Sequence, residues 1–183
     1  MRKNSLVRRV LPYLGALFIP AVMLSCSGCR DERNVQTFSD KEYKEQLIEA
    51  NRKKVVWESD RIRDFIEQNK WEMDSTETGL FYRFDVRGEG LTAESGQRAT
   101  VEYRISLLDG TDCYSSKTLG PKRFTIGQDD EVSGLHEGVL LMRTGDKVTF
   151  LMPSRLGYGF TGDQQKIPQN AALIYEVELV ALR

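Results

Sequence analysis

Residues 127–172, GQDDEVSGLHEGVLLMRTGDKVTFLMPSRLGYGFTGDQQKIPQNAA, decide the fold. Ser133-Gly134 opens a segment in which Leu135, Val139 and Met142 recur at helical spacing, and Thr144-Gly145-Asp146 stops it. A short amphipathic helix is therefore expected. Residues 147–153 then alternate, with Val148, Phe150 and Met152 on one face and Lys147, Thr149 and Leu151 on the other, and Pro153 cannot extend a central strand. The next stretch, Gly157-Tyr158-Gly159-Phe160-Thr161-Gly162, is too glycine-rich to be regular and too aromatic for a solvated linker. Helix, strand and loop read together as the wall and rim of an apolar pocket.

The same period of two recurs outside this block. Residues 80–87 set Leu80, Tyr82 and Phe84 against Phe81, Arg83 and Asp85, and Gly88-Glu89-Gly90 turns the chain. Residues 98–108 place Val101, Tyr103, Ile105 and Leu107 on one face, and Asp109-Gly110 is a hairpin signal from which residues 112–116 return. Residues 123–126 form a short strand, and residues 172–182 close the chain by alternating Leu173, Tyr175, Val177 and Leu179 with Glu176 and Glu178. Five or six antiparallel strands and one short helix predict an α+β half-barrel wrapped on that helix. No internal repeat is present.

These pieces, in this order, resemble the FKBP-type peptidyl-prolyl isomerases over residues 79–183. The resemblance is carried by Val101-Glu102-Tyr103, Asp109-Gly110 with Ser115-Ser116, Gly134-Leu135-His136-Glu137-Gly138, Tyr158-Gly159 with Ile167-Pro168, and Tyr175-Glu176-Val177-Glu178-Leu179. It implies an isomerase domain over residues 76–183 and a pocket built from matching positions. Tyr103 and Phe124 match pocket aromatics, Val132 the aliphatic residue whose amide holds the substrate carbonyl, and Tyr158 the hydroxyl donor. Ile167 matches the loop aliphatic, Tyr175 stands where a phenylalanine is usual, and Glu131 shares the rim with Val132. Leu135 replaces the tryptophan floor of many members. Cys113 and Tyr114 replace a Phe-Asp pair, and Lys122 replaces another aromatic. The last three changes bear on rate and on the affinity for macrolide ligands.

Upstream, residues 39–75 form a helical arm. Ser39-Asp40-Lys41-Glu42 is a capping-box pattern, and with neither Gly nor Pro before Gly79 a helix can run from Asp40 to about Asn69. Ile48, Val55 and Ile62 recur every seven residues, a stripe too thin for a long coiled coil. The arm either folds onto the following domain or stands as a spacer, or it serves as a homodimerisation or client-gripping element.

The first 25 residues read as a signal peptide. Arg2, Lys3, Arg8 and Arg9 precede an apolar run over residues 10–24 that Pro12 and Pro20 interrupt and that is shorter than the roughly 20 residues of a spanning helix. Met23-Leu24-Ser25-Cys26 resembles a bacterial lipobox, with Cys26 the expected acylation site and Cys29 the runner-up, and residues 26–38 a tether. Taken whole, the chain resembles the gliding-motility-associated isomerase lipoproteins of Gram-negative bacteria. That likeness implies a lipid-anchored protein of the cell envelope, facing the periplasm from the outer membrane. The Cys26-x-x-Cys29 spacing fits redox and metal sites, but it abuts a cleavage site with no helix after it.

At 183 residues, 40% hydrophobic and 29% charged, the chain suits one modest domain with extensions. A net charge of −1 gives no sign of a nucleic-acid partner, and without residues 1–25 the charge is about −5. Metal and cofactor are both expected to be none. His136, the sole histidine, lacks partners for a metal site and reads as a rim or solvent residue, and Asp129-Asp130-Glu131 reads as a solvated turn. The expected partners are proline-containing polypeptides. Three functions compete: a prolyl isomerase for exported proteins, a catalytically weak chaperone or assembly factor for envelope or motility machinery, and a structural lipoprotein with a vestigial pocket.

Overall fold

The computed structural model describes residues 39–183; the signal segment 1–25, the tether 26–38 and the candidate acylation sites Cys26 and Cys29 lie outside the described residues. The first element is the helix α1 (Asp40–Gln68), capped as its sequence requires. The Ser39 amide donates to the Glu42 carboxylate at 3.0 Å, and the Glu42 amide donates to Ser39 Oγ at 3.3 Å. The Ser39 amide, and after it the Ser39 hydroxyl donating at 3.0 Å, hold the Glu42 carboxyl below its ordinary range. At the other end Lys70 takes a left-handed φ of 53°, and the chain reverses into the sheet.

Seven antiparallel strands follow: β1 (Asp74–Ser75), β2 (Phe81–Val86), β3 (Arg98–Leu107), β4 (Asp112–Ser115), β5 (Lys122–Thr125), β6 (Lys147–Met152) and β7 (Leu173–Leu182). Their order is β1-β2-β6-β7-β3-β4, with β5 also paired to β3. One edge of β3 is thus filled along its length by β7, while β5 pairs with residues 98–101 and β4 with residues 104–106 on the other. The four-residue helix α2 (Ser116–Leu119) joins β4 towards β5. The strand count exceeds the expected five or six because β1, a two-residue pairing in the junction after α1, has no readable alternation.

The helix α3 (Ser133–Leu140) lies in the concave face. Leu135 and Val139 are fully buried there with Phe124, Phe150 and Tyr175. Gly134 and Gly138 permit this close approach: a Cβ on Gly138 would meet Phe150 Cζ at 2.7 Å, and one on Gly134 would meet Met152 Cε at 2.6 Å. The helix ends two residues before Met142, which is nevertheless fully buried beyond the C-cap. Asp146, also fully buried, accepts from the Arg143 amide at 2.7 Å and the Gly88 amide at 2.5 Å, tying the turn after α3 to the turn after β2.

The two faces expected for residues 147–153 are both covered, because residues 148–152 are all buried. Leu151, on the outer face, is covered by a second core of Ile62 and Ile174, with Phe65, Ile66, Trp71 and Met73 around it. Thr149 on the same face donates to Asp85 at 2.6 Å. The C-terminal half of α1 therefore docks on the back of the sheet. Tyr43, Leu47 and Ile48 in its N-terminal half, and Trp57 just past its midpoint, are exposed.

Candidate functional site

Strand alternation brings the predicted residues to one place. β3 turns Tyr103 inward, β5 supplies Phe124, and β7 supplies Tyr175, whose ring lies tilted against Tyr103 with centroids 6.2 Å apart. Leu135 of α3 and Ile167 from the long loop complete the buried part. Val132, the N-cap of α3, and Tyr158 are partly buried and pack on the same cluster. Tyr175 has no exposed surface, and among the described residues its hydroxyl makes no hydrogen bond of regular geometry, although the Tyr158 hydroxyl is close by. Burial pushes the Tyr158 phenol up to about 12, with the charges of Glu131 and Asp163 adding to the effect, so it is a protonated donor at any physiological pH.

The rim is polar and paired. Lys122 reaches Glu131 at 2.6 Å while its ammonium stands 5.4 Å from the Tyr103 ring centroid, so the changed position and the candidate rim carboxylate neutralise each other. The Tyr114 hydroxyl donates to Asp163, whose other oxygen accepts the amides of Gln165 at 2.9 Å and Ile167 at 2.8 Å. Burial works against the Asp163 charge, but these bonds outweigh it and hold the carboxyl below its usual range. A carboxylate missing at position 114 thus arrives from position 163. Sequence reading missed it, although a phenol bound for a pocket wall needs a partner and the facing loop holds one aspartate. Cys113 is buried, its thiol pushed up chiefly by desolvation, and the Lys166 ammonium donates to its carbonyl at 2.9 Å.

His136 is half-buried, and Asp129, exposed on its turn as expected, is hydrogen-bonded as well. The Gly127 amide donates to His136 Nδ1 at 2.9 Å, which places the proton on Nε2, 3.0 Å from the Asp129 carbonyl. The ring meets Phe124 edge-on at 5.3 Å, and the Asp129 carboxylate accepts the Thr125 amide at 2.5 Å. Histidine and turn together pin the segment that presents Val132. A concavity of about 950 Å³ lies on the outer face of the sheet and has Tyr103, Cys113 and Tyr114 in its lining. Most of its charges are paired, Arg83 with Asp85, Arg104 with Asp112 and Glu176, and Lys147 with Glu178.

The profile of the family described as FKBP-type peptidyl-prolyl cis-trans isomerase matches residues 90–180. The peptidyl-prolyl cis-trans isomerase FKBP15-1 of Arabidopsis thaliana is 37% identical over 110 residues, 60% of this chain and 72% of the relative. The chain belongs to the FKBP-type peptidyl-prolyl cis-trans isomerase family.

Within that family, the probable FkpA isomerase of Neisseria meningitidis is 33% identical over 144 residues, 77% of this chain and 52% of the relative. The crystal structure of FkpA from Escherichia coli aligns with a TM-score of 0.60 at 27% identity, over 80% of this chain and 74% of that one. The chain spans about half the length of the bacterial FkpA relatives it matches, 52% of that from Neisseria meningitidis and 40% of that from Aeromonas hydrophila. The bacterial matches take in more of the chain than residues 90–180, so part of the helical arm falls within the likeness. Of the three positions where the sequence is expected to depart from the resembled pattern, Cys113 is buried, whereas Tyr114 and Lys122 are half-buried and pair with Asp163 and Glu131.

Proposed function

We propose that the chain catalyses cis-trans isomerisation of X-Pro bonds in exported polypeptides. The observation that carries this reading is the convergence of Tyr103, Phe124, Val132, Leu135, Ile167 and Tyr175 around one protonated donor, Tyr158, on the open side of α3. A planar amide resists rotation by about 18–20 kcal/mol because resonance gives it double-bond character. The twisted transition state has lost that resonance and is less dipolar, so an apolar pocket that strips water from the amide favours it over the ground state. The Phe124, Leu135 and Tyr175 side chains exclude water, Tyr103 walls the proline ring, and the Val132 amide with the Tyr158 hydroxyl fixes the substrate backbone. No proton changes hands, so the pocket requires neither nucleophile, metal nor cofactor.

A protease-coupled assay on a short X-Pro peptide tests this. Phe124→Ala opens the floor to water and should remove most of kcat/KM; full activity in that variant would refute the desolvation account. Anchoring through acylated Cys26, with Cys29 the alternative, would hold the protein at the envelope membrane, and fatty-acid labelling of Cys26→Ala and Cys29→Ala chains decides the site. The exposed Tyr43, Leu47, Ile48 and Trp57 on α1 suit self-association as a homodimer or contact with unfolded clients. The Lys122–Glu131 pair across the mouth favours a second reading, a slow isomerase that acts chiefly as a chaperone or assembly factor. Suppression of client aggregation without turnover of the peptide would select that reading.

A further inference from the structure

The exit of β6 carries a buried charge for which the pocket chemistry has no use. Glu58 of α1 is 5% exposed, and among the described residues no cation lies within ion-pair distance of it. Its carboxylate accepts only from Ser154, the amide at 2.5 Å and Oγ at 3.1 Å. Burying a carboxylate without a counter-ion is costly. One turn further along the same face α1 docks with Ile62, an apolar contact that would hold the helix without any such expense. The charge is aimed at one backbone position.

That position controls the loop bearing Tyr158. Ser154 begins a short 3-10 turn (Ser154–Leu156), and its carbonyl accepts the amides of both Gly157 at 3.0 Å and Gly159 at 2.8 Å, the two neighbours of Tyr158. The Gly159 carbonyl in turn accepts the Asn170 amide at 2.9 Å. Asn170, in a left-handed conformation at φ 56°, is held by its side chain through Lys54, and the same ammonium stands 5.5 Å from the Phe160 ring centroid. Lys54 and Glu58 are four residues apart, on one face of α1. They grip the two ends of the loop over residues 154–170.

We infer that α1 is a brace for the catalytic rim, in which Glu58 and Lys54 are positioning residues that set the Tyr158 hydroxyl through Ser154 and Asn170. This inference rests on the reading of Tyr158 as a substrate-binding donor. It predicts that docking of the arm tunes turnover and not stability alone, so that a client or a second copy displacing the helix would slow the pocket.

The test is a double-mutant cycle on the full chain, with kcat/KM measured on an X-Pro peptide and folding checked by circular dichroism. Glu58→Ala should lower kcat/KM about three- to tenfold, the range of one misplaced hydrogen bond, and Lys54→Met about twofold. Glu58→Gln keeps an oxygen for the Ser154 amide and should retain most of the activity. In a Tyr158→Phe background the Glu58→Ala loss should shrink below about twofold, because the donor it places is gone. An equal loss in both backgrounds, or full activity in folded Glu58→Ala, would overturn the inference while leaving the pocket intact. Full activity in Tyr158→Phe alone would overturn the Tyr158 reading and this inference with it. Should Glu58→Ala fail to fold, Lys54→Met with and without Tyr158→Phe decides by the same comparison.

Discussion

Replacing Tyr175 by phenylalanine should make the protein more stable. The Tyr175 ring is fully buried among Tyr103 and Phe150, yet among the described residues its hydroxyl makes no hydrogen bond of regular geometry despite the nearby Tyr158, and burial pushes the phenol well above its ordinary range. A buried donor left unsatisfied costs about 1–3 kcal/mol. Deleting one oxygen leaves a gap on the order of 10 Å³, a penalty of about 0.2 kcal/mol at roughly 24 cal/mol per Å³. The net expectation is a gain of about 1–2.5 kcal/mol, and at this domain size each kcal/mol moves Tm by about 3–6 °C. Urea melts and thermal scans of the two chains measure it directly. A lower Tm in Tyr175→Phe would mean that the hydroxyl finds a partner in solution, Tyr158 being the near candidate, and would refute the reasoning. If the idle hydroxyl serves the bound substrate instead, kcat/KM falls while stability rises, a combination that a packing role does not produce.

Gly138→Ala drives a methyl to within 2.7 Å of the Phe150 ring and should destabilise by about 1–3 kcal/mol, read as a lower urea midpoint at unchanged m-value. Because burial pushes Tyr158 up to about 12 and raises Tyr175 well above the ordinary phenol range, kcat/KM should stay level between pH 7 and 9. Stability has the opposite sensitivity at high pH. Tyrosines of the unfolded chain ionise near pH 10 while these two must stay protonated in the fold, so their contribution is whole below about pH 10 and is lost as pH climbs towards 12. Urea midpoints across that range should fall, and less steeply in Tyr158→Phe.

Much of this was legible in the one-dimensional chain, because it depends on near neighbours. The Ser39–Glu42 capping box, the alternation of β3 and β7, and the hairpin at Asp109-Gly110, where Gly110 takes φ 86°, each follow from residues within a few positions of one another. The inward faces of β3 and β7, which carry Tyr103 and Tyr175, were legible for the same reason, since the inward residues of strands are set by their period, whereas Phe124 and Tyr158 entered through the family resemblance. What tertiary structure alone decided is pairing at a distance. The order β1-β2-β6-β7-β3-β4 joins strands far apart in sequence, and the full burial of β6 arises because α1, some 90 residues earlier, covers Leu151. The sequence set Lys122, Glu131 and Tyr114 at the pocket but named none of the pairings Lys122 with Glu131, Tyr114 with Asp163 or Glu58 with Ser154. A charge carries no periodic mark of the partner it will meet, and the energy that justifies burying it exists only once the sheet has brought that partner within hydrogen-bonding distance.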